Sequence, residues 1–288
     1  MRLVSFKKGR GSAIGVRTDD GVVDLSVADE SLPQDMIGLL AGGDRALARA
    51  ARAARKPPEG SLITRRVNHL PPVPNPGKVI CVGLNYSDHA AEAGMTPPEY
   101  PVLFLRTPAS LVGHGQPILR PKASKHHDYE AELVAVIGKP GRRIAKARAL
   151  DHVAGYSIAN EGSIRDYQLK TSQWMIGKSF DSSGSFGPEI VTPDELPNKG
   201  AKGLKIEARL NGDTLQSSTT SSMIFDVATL VNECSKIFAL ESGDIIVTGT
   251  PSGVGFVRKP PIFMKPGDTC EIEIEGIGVL SNPIAAEK

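Results

Sequence analysis

Two glutamates, Glu130 and Glu132, stand two residues apart at the start of the apolar segment Ala131–Ile137. Side chains alternate between the two faces of a strand, so the sequence predicts that both carboxylates point the same way. Like charges beside a buried strand repel each other and lose hydration. Mg²⁺, Mn²⁺ or Ca²⁺ would relieve that cost, because carboxylate oxygens suit hard divalent cations. The pair therefore predicts a metal-dependent enzyme.

A third carboxylate, Glu161, follows another apolar run at the turn Asn160-Glu161-Gly162. Three carboxylates, waters and a bidentate substrate would complete an oxygen-rich octahedron. Taken alone, Glu161 is more typical of a loop carboxylate or a helix-start residue than of a metal ligand. Arg165 and Gln168 come soon after it, and their spacing of three puts them on one face of a helix. The alternative for both is a solvated helix surface.

A short helix is predicted over residues 86–93, with Asn85 or Ser87 as its N-cap and Gly94 as its end. About two turns are too short to be stable alone, so we interpret the segment as a lid that orders over a ligand. His89 and Glu92 lie on the same side of this helix. A carboxylate that orients a histidine makes a general base near neutral pH, although an exposed helical contact would show the same spacing.

Two further segments carry candidate ligand-binding groups. The loop Thr248–Gly255 is rich in glycine but lacks the lysine and serine spacing of a phosphate loop. We interpret it as a tight loop whose backbone approaches a small ligand at Gly249, with Thr250 offering a hydroxyl. Lys178 stands between Gly177 and apolar residues and could point into a cleft, whereas a surface position is the default for lysine.

Other catalytic chemistries fit less well. His126 and His127 could suggest zinc, but neighbouring residues of a strand face opposite sides and cannot easily serve one ion. The sequence has no GxSxG elbow of a serine hydrolase. Its three cysteines, Cys81, Cys234 and Cys270, form no CxxC pair and no disulfide framework, which favours a reducing cytoplasm.

Length and charge limit the remaining possibilities. The 288 residues fit one large domain, or one domain with a small appendage. A formal net charge of +2 gives no reason to expect nucleic acid or an anionic membrane as a partner. The first residues lack the apolar core of a signal peptide, and no apolar run is long enough to span a bilayer.

The order of predicted elements indicates a mostly β, α+β chain. Residues 1–72 are expected to form a small N-terminal α+β domain, with short strands and one or two helices over 34–54 that break near Gly42-Gly43. The proline-rich stretch 70–77 reads as a linker to residues 73–288. The strands predicted beyond it are Lys78–Val82, Val102–Leu105, Ala131–Ile137, Lys205–Leu210, Asp244–Val247 and Thr269–Ile274. With helices only near 86–93, 144–149 and Phe225–Phe238, a β-roll or sandwich with peripheral helices is expected.

Taken together, these segments resemble the fumarylacetoacetate hydrolase family over roughly residues 77–283. The motifs occur in the family's order: Cys81-Val82-Gly83-Leu84-Asn85-Tyr86, Asp88-His89, Asp128-Tyr129-Glu130-Ala131-Glu132-Leu133, Gly155-Tyr156, Ser163-Ile164-Arg165-Asp166 with Gln168, Gly177-Lys178-Ser179-Phe180-Asp181, Asn211-Gly212 with Gln216, and Thr248-Gly249-Thr250-Pro251 with Gly253 and Gly255. The resemblance implies a mixed β-roll catalytic domain, a small N-terminal domain and a homodimer. It also implies Mg²⁺ or Mn²⁺ held by Glu130, Glu132 and Glu161.

Two departures from the family pattern accompany the resemblance. Glu161 stands where the family usually has aspartate, so the charge is kept on a side chain one methylene longer. Arg106 stands where lysine is common, and its planar guanidinium offers a fork for a carboxylate that lysine does not.

The His89–Glu92 pair of the predicted lid favours hydrolysis of a C–C bond in a 1,3-dicarbonyl acid of the acylpyruvate type, such as fumarylpyruvate or maleylpyruvate. The resemblance implies a setting such as aromatic catabolism. The substrate's carboxylate and 2-oxo group would chelate the metal, and His89 with Glu92 would activate the attacking water. The metal and Lys178 would stabilise the enolate that is released. Arg165, Gln168 and Thr250 would hold the carboxylate end of this small keto acid, and Arg106 would reach its distal end.

Two alternatives remain open. A decarboxylase or tautomerase acting on a β-keto or dienol acid such as oxaloacetate would use the same metal and the same enolate without the water. A non-catalytic binder that has kept the fold would show no metal-dependent turnover.

Overall fold

The chain is described by a computed structural model over residues 1–92, 94 and 96–288. In these residues an eleven-stranded mixed sheet, a five-stranded sheet and a two-stranded ribbon account for the strands. The strands are β1 (Arg2–Lys8), β2 (Gly11–Thr18), β3 (Gly21–Asp24), β4 (Leu62–Ile63), β5 (Val79–Gly83), β6 (Val102–Arg106), β7 (Leu111–Val112), β8 (Ile118–Arg120), β9 (His127–Asp128), β10 (Ala131–Ile137), β11 (Val153–Asn160), β12 (Ser163–Ile164), β13 (Gly184–Val191), β14 (Lys205–Leu210), β15 (Asp213–Thr219), β16 (Ile245–Val247), β17 (Thr269–Ile274) and β18 (Gly278–Ala286).

The helices are short and lie around the sheets. They are α1 (Leu25–Ala28), α2 (Met36–Ala41), α3 (Gly43–Arg55), α4 (Ser87–Glu92), α5 (Arg165–Gln168), α6 (Met175–Lys178) and α7 (Val227–Ile237). Asp35 caps α2 and Asp226 caps α7, because each carboxylate accepts a backbone N–H of the first turn. Within the described part of the chain, no helix has the combined length and apolarity needed to cross a membrane.

The large sheet runs in the order β4-β3-β2-β1-β13-β11-β10-β16-β5-β6, and β7 adds to β13. Most neighbours are antiparallel, but β16 and β5 are parallel, so the sheet is mixed. Every residue of β10 is buried, as its aliphatic sequence predicts for a central strand. The five-stranded sheet, ordered β15-β14-β17-β18-β8, contributes Ile206 and Ile272 to the same core. The predicted fold class, mostly β with peripheral helices, is confirmed.

The N-terminal strands are continuous with the rest of the large sheet. Strand β1 pairs with β13 in the register Leu3↔Ile190. Arg2 and Arg17 both pair with the buried carboxylate of Glu189 on β13, at 2.6 and 2.5 Å. Residues 1–72 and 73–288 therefore share one hydrogen-bonded sheet, and their division into two domains stays a prediction.

Several predicted elements are found with small changes of bounds. Strands β10, β14 and β17 match their predictions, and α2 and α3 meet at Gly42-Gly43 as expected. The helix predicted over 86–93 is α4, and residue 93 lies outside the described residues. The segment predicted as a helix at 144–149 is instead a 3₁₀ helix at Lys146–His152. Its seven residues connect β10 to β11, a position in which 3₁₀ helices are frequent, although most of them are shorter.

Candidate metal centre and active site

Two adjacent antiparallel strands bring three carboxylates together. Glu130 immediately precedes β10, Glu132 lies within it, and Glu161 immediately follows β11. The register pairs Ala131 with Asn160, and the Glu161 N–H donates to the Glu130 carbonyl at 3.0 Å. All three side chains are buried, and each offers an oxygen within 4.8 Å of the others. The structure thus brings together the residues that the sequence predicted as metal ligands.

Lys178 lies against this cluster from α6. Its ammonium donates to Glu130 Oε2 at 2.5 Å and to Glu161 Oε2 at 2.8 Å. The close approach depends on Gly177, because a Cβ there would lie 2.3 Å from the backbone nitrogen of Gln168 on α5. The glycine therefore allows two short helices to pack tightly enough to bury a lysine.

Arg165, the first residue of α5, supplies the second cation. Its Nη2 lies 2.7 Å from Asp128 Oδ2 and 2.7 Å from Glu130 Oε1, and its Nη1 donates to Gln168 Oε1 at 2.9 Å. Asp128 also accepts the backbone N–H groups of Gly255 and Phe256. Asp128 thereby connects Arg165 to the loop after β16, a role that the sequence analysis did not assign to it.

The charges leave Glu132 without a cation. Four buried acids, Asp128, Glu130, Glu132 and Glu161, face three buried bases, Arg106, Arg165 and Lys178. Glu132 forms no salt bridge within the described residues, and its Oε2 accepts the Gly249 N–H at 2.5 Å. Burial, followed by repulsion from Glu161 and Glu130, raises the pKa of Glu132 well above its ordinary value. Burial would also raise the pKa of Glu130, but Arg165 and Lys178 outweigh it and the net pKa is lowered.

These features fit a divalent metal ion. Glu161 Oε1 is buried without a hydrogen-bond partner, and Glu132 carries an uncompensated charge when ionised. The donor set consists of carboxylate oxygens alone, which suits Mg²⁺ or Mn²⁺ better than zinc. Glu130, Glu132 and Glu161 are the residues that could hold such an ion.

The rival zinc ligands are not grouped. His127 is buried with its Nε2 donating to the Ser183 carbonyl at 2.7 Å, whereas the side chain of His126 is 53% exposed. The two rings therefore face different surroundings, with His126 immediately before the strand β9 and His127 as its first residue.

Two predicted substrate contacts have different positions from those expected. Arg106 was expected at the distal end of the substrate, but its guanidinium is buried behind Glu161 and donates to Ser110 and Ser183. Gly249 was expected to approach the ligand, but its N–H is directed to Glu132. Its φ of +99° and the contact that a Cβ would make with Asn85 at 2.7 Å explain why glycine is needed there.

Helix α4 places His89 and Glu92 at the edge of the site. His89 lines the cavity, and its Nδ1 lies 3.6 Å from Glu92 Oε2. The Glu92 carboxylate accepts the Gly253 N–H at 3.0 Å, and Asp88 accepts the Ser252 hydroxyl at 3.1 Å. Because these bonds hold α4 against the loop after β16, the histidine side chain is only 12% exposed.

Thr250 and Gln168 line the same cavity. The Thr250 hydroxyl accepts a hydrogen bond from Gln216 Nε2 at 2.9 Å, and Gln216 Oε1 accepts the Ala131 N–H. Gln216 thus connects β15 to β10 and fixes the loop that carries Thr250. Its sequence signal was a motif match alone.

The cavity, of about 150 Å³, is lined by both charged and apolar side chains. The carboxylates, Lys178 and Arg165 form the charged end. The apolar lining consists of Val82, Leu84, Leu169, Trp174, Val254, Phe256 and Val257. The sequence analysis named none of these as site residues, although Trp174 is the single tryptophan of the chain.

Sequence and structure comparisons show which known proteins the chain resembles. A family model described as fumarylacetoacetate (FAA) hydrolase C-terminal matches residues 78–285. A relative from Xenopus laevis, named oxaloacetate tautomerase fahd2, mitochondrial, is 41% identical over 290 residues, covering 99% of this chain and 90% of the relative. The solved fumarylacetoacetate hydrolase from Exiguobacterium antarcticum is 37% identical, with a TM-score of 0.85 and full coverage of both chains.

A further solved structure is that of maleylpyruvate hydrolase from Sphingobium sp. SYK-6 in complex with manganese(II) and pyruvate. It is 27% identical, with a TM-score of 0.81 and full coverage of both chains. The chain thus combines a mixed β-roll fold with a buried cluster of three carboxylates. The chain belongs to the fumarylacetoacetate hydrolase family, which confirms the resemblance of the sequence motifs. The homodimer and the cytoplasmic location stay predictions, and the name of the Xenopus relative places that protein in mitochondria.

Proposed function

We propose that this chain is a metal-dependent enzyme that interconverts the keto and enol forms of a small 2-oxo dicarboxylic acid of the oxaloacetate type. The observation that carries the proposal is the 41% identity, over 99% of the chain, with the relative named oxaloacetate tautomerase. This is the tautomerase alternative of the sequence analysis. The size of the cavity supports it, because about 150 Å³ is below the usual range for drug-sized ligands and suits a short acid.

The bound Mg²⁺ or Mn²⁺ would act as a Lewis acid that polarises the 2-oxo group. Lys178 commits two of its N–H groups to Glu130 and Glu161, which leaves one N–H for a substrate oxygen. The ammonium thereby stabilises negative charge as it develops on that oxygen.

The proton transfer is assigned to His89. Its Nδ1 faces Glu92, so Nε2 is the ring nitrogen that takes the proton from carbon 3 of the keto acid. The His89 imidazolium then returns this proton to the carbonyl oxygen, which completes the enol and leaves His89 neutral, and the reverse sequence restores the keto form. Thr250 and Gln168, which line the cavity beside the charged end, bind the carboxylates of the acid.

The test is a comparison of three reactions on one preparation. Freshly dissolved oxaloacetate is followed by ultraviolet absorbance of its enol, while acylpyruvate cleavage and decarboxylation are followed by formation of pyruvate. We expect enol–keto interconversion above the buffer rate with Mn²⁺, its loss after chelation, and its recovery on adding Mn²⁺ back. Absence of metal-dependent interconversion, with the metal-loaded protein folded, would contradict the proposal.

Hydrolysis of a C–C bond in an acylpyruvate is the second candidate. The His89–Glu92 pair favours it, because the same arrangement can activate a water molecule, and the maleylpyruvate hydrolase neighbour shares the fold. In the three-reaction test this candidate predicts cleavage of acylpyruvate as the fastest metal-dependent process.

A further inference from the structure

Trp174 belongs to the apolar lining of the cavity and is held there by contacts on two sides. Its ring lies directly on the backbone of Gly83, since a Cβ at Gly83 would be 2.2 Å from the indole Cζ3. On another side the ring of Phe104 meets it edge to face, with centroids 5.8 Å apart. Two such contacts fix the orientation of a large side chain with only two rotatable bonds.

The position of Trp174 relative to the charged end follows from helix α6. Trp174 is the N-cap of α6, and Lys178 is its last residue, so they are separated by about 6 Å of helix rise. A keto acid whose head lies among the carboxylates and Lys178 directs its tail towards the apolar side chains of the cavity. Trp174, Leu169 and Val254 belong to the apolar lining that this tail would meet. The ring of Phe256 instead lies over the Arg165 guanidinium, with 5.8 Å between Cζ and the ring centroid.

We propose that Trp174, seated on Gly83, determines specificity by limiting the length of the keto acid that the site accepts. The inference rests on the proposed function, because it takes a small 2-oxo acid as the ligand of the charged end. It adds that four-carbon acids fit within the apolar lining, whereas longer acyl groups collide with the indole. Replacing the indole with a smaller side chain opens apolar space in line with the tail.

The experiment measures binding rather than turnover. Mn²⁺-loaded wild type, Trp174→Phe and Trp174→Ala are titrated calorimetrically with oxalate and with straight-chain 2-oxo acids of increasing length, starting at pyruvate. Oxalate occupies only the charged end and reports whether that end is intact. Met175→Ala is the matched control, because Met175 is the next residue of α6, is 48% exposed and does not line the cavity.

In the wild type and in Met175→Ala, we expect affinity to fall about tenfold at the first acid that is too long. In Trp174→Ala the fall moves to longer acids, and each methylene that enters the new space improves affinity about fourfold. Trp174→Phe gives an intermediate limit. Oxalate affinity changes less than about twofold in all variants.

An unchanged length limit in Trp174→Ala overturns the inference. Parallel loss of oxalate and longer acids also overturns it, because Trp174 would then support the charged end. If the wild type binds neither oxalate nor pyruvate, the site holds no keto acid and the inference fails. If the limit moves but oxaloacetate is not tautomerised, the inference stands and the proposed function is wrong.

Discussion

Arg106 Nη1 lies 4.0 Å from Glu161 Oε1, and both atoms are buried without a hydrogen-bond partner. The sequence analysis named the same two residues as departures from the family pattern. Arg106 uses its other nitrogens to bind Ser110 and Ser183, so the guanidinium is fixed as it faces the carboxylate. Glu161 and Arg106 therefore act as a charge pair, in which the arginine supports a candidate metal ligand from the side away from the cavity.

Arg106→Lys is expected to weaken Mn²⁺ binding about tenfold. A lysine cannot keep both serine contacts while it faces Glu161, and the loss of a partner behind a metal ligand typically costs 10–100-fold in affinity. Isothermal titration with Mn²⁺ measures the effect. Arg209→Lys, at a partly exposed arginine that pairs with Glu271 and Glu273, is the control. Equal affinities in wild type and Arg106→Lys would show that the pair does not support the metal.

Glu132→Gln is expected to abolish metal binding without destabilising the metal-free protein. Glu132 has no cation partner, so a neutral amide of the same size removes a buried charge that repels Glu130 and Glu161. The thermal midpoint without metal should equal or exceed that of the wild type, and the rise on adding Mn²⁺ should disappear. Glu207→Gln, at a carboxylate that pairs with Lys205 on the surface, should keep the rise. A full Mn²⁺-induced rise in Glu132→Gln would contradict the assigned ligand set.

His89→Gln is expected to lower kcat for oxaloacetate interconversion by about 10²–10⁴, the usual contribution of a positioned acid or base. Its effect on Mn²⁺ affinity should be small, because His89 is not among the three clustered carboxylates. Steady-state kinetics and Mn²⁺ titration separate the two effects. His152→Gln, at a half-buried histidine that does not line the cavity, should leave both quantities unchanged. A kcat within threefold of wild type would exclude His89 as the proton carrier.

The protein is expected to lose stability as the pH falls from about 6.5 to 4, in part because of His127. Burial lowers the pKa of His127 to about 4, since protonation would place a second N–H where Nδ1 has no acceptor. In the unfolded chain the group titrates near 6.5, so the unfolded state binds the proton first and gains on the native state across this interval. The full loss, reached below the native pKa, is about 3 kcal/mol.

The contribution of His127 to this loss of stability is tested by denaturant unfolding of the wild type and His127→Gln between pH 6.5 and 4. Glutamine retains an N–H for the Ser183 carbonyl and does not titrate, so the dependence of its unfolding free energy on pH should be shallower. Identical slopes for the two proteins would assign the acid sensitivity to other groups.

The sequence predicted the carboxylate cluster because its signal is local. Strand alternation predicts that the side chains of Glu130 and Glu132 point the same way, and the end of an apolar run predicts the position of Glu161. The strands β13, β15 and β18 were not predicted, because their sequences carry no clear local strand signal. Gly187-Pro188 interrupts the first, the second is largely polar, and Pro283 lies in the third. Their strand conformation comes from pairing with distant strands, which no local pattern contains.

The positions of Arg106 and Gly249 could not be predicted for the same reason. Whether a buried cation faces a ligand or supports a carboxylate depends on strands β6, β11 and β13 packing around it. Trp174 gave a compositional signal as the single tryptophan, but its role depends on Gly83, which is distant in sequence. Spacing in the sequence identifies residues on the same helix or strand, whereas the apolar lining of the cavity comes from several helices, strands and loops.

One helical turn, α6, carries both the indole at its start and the ammonium at its end. A mutation that enlarges the acyl space by shifting this turn also disturbs the lysine that neutralises two glutamates. Evolution towards bulkier acids in this scaffold is therefore expected to proceed by trimming the tryptophan side chain, with the helix backbone kept in place.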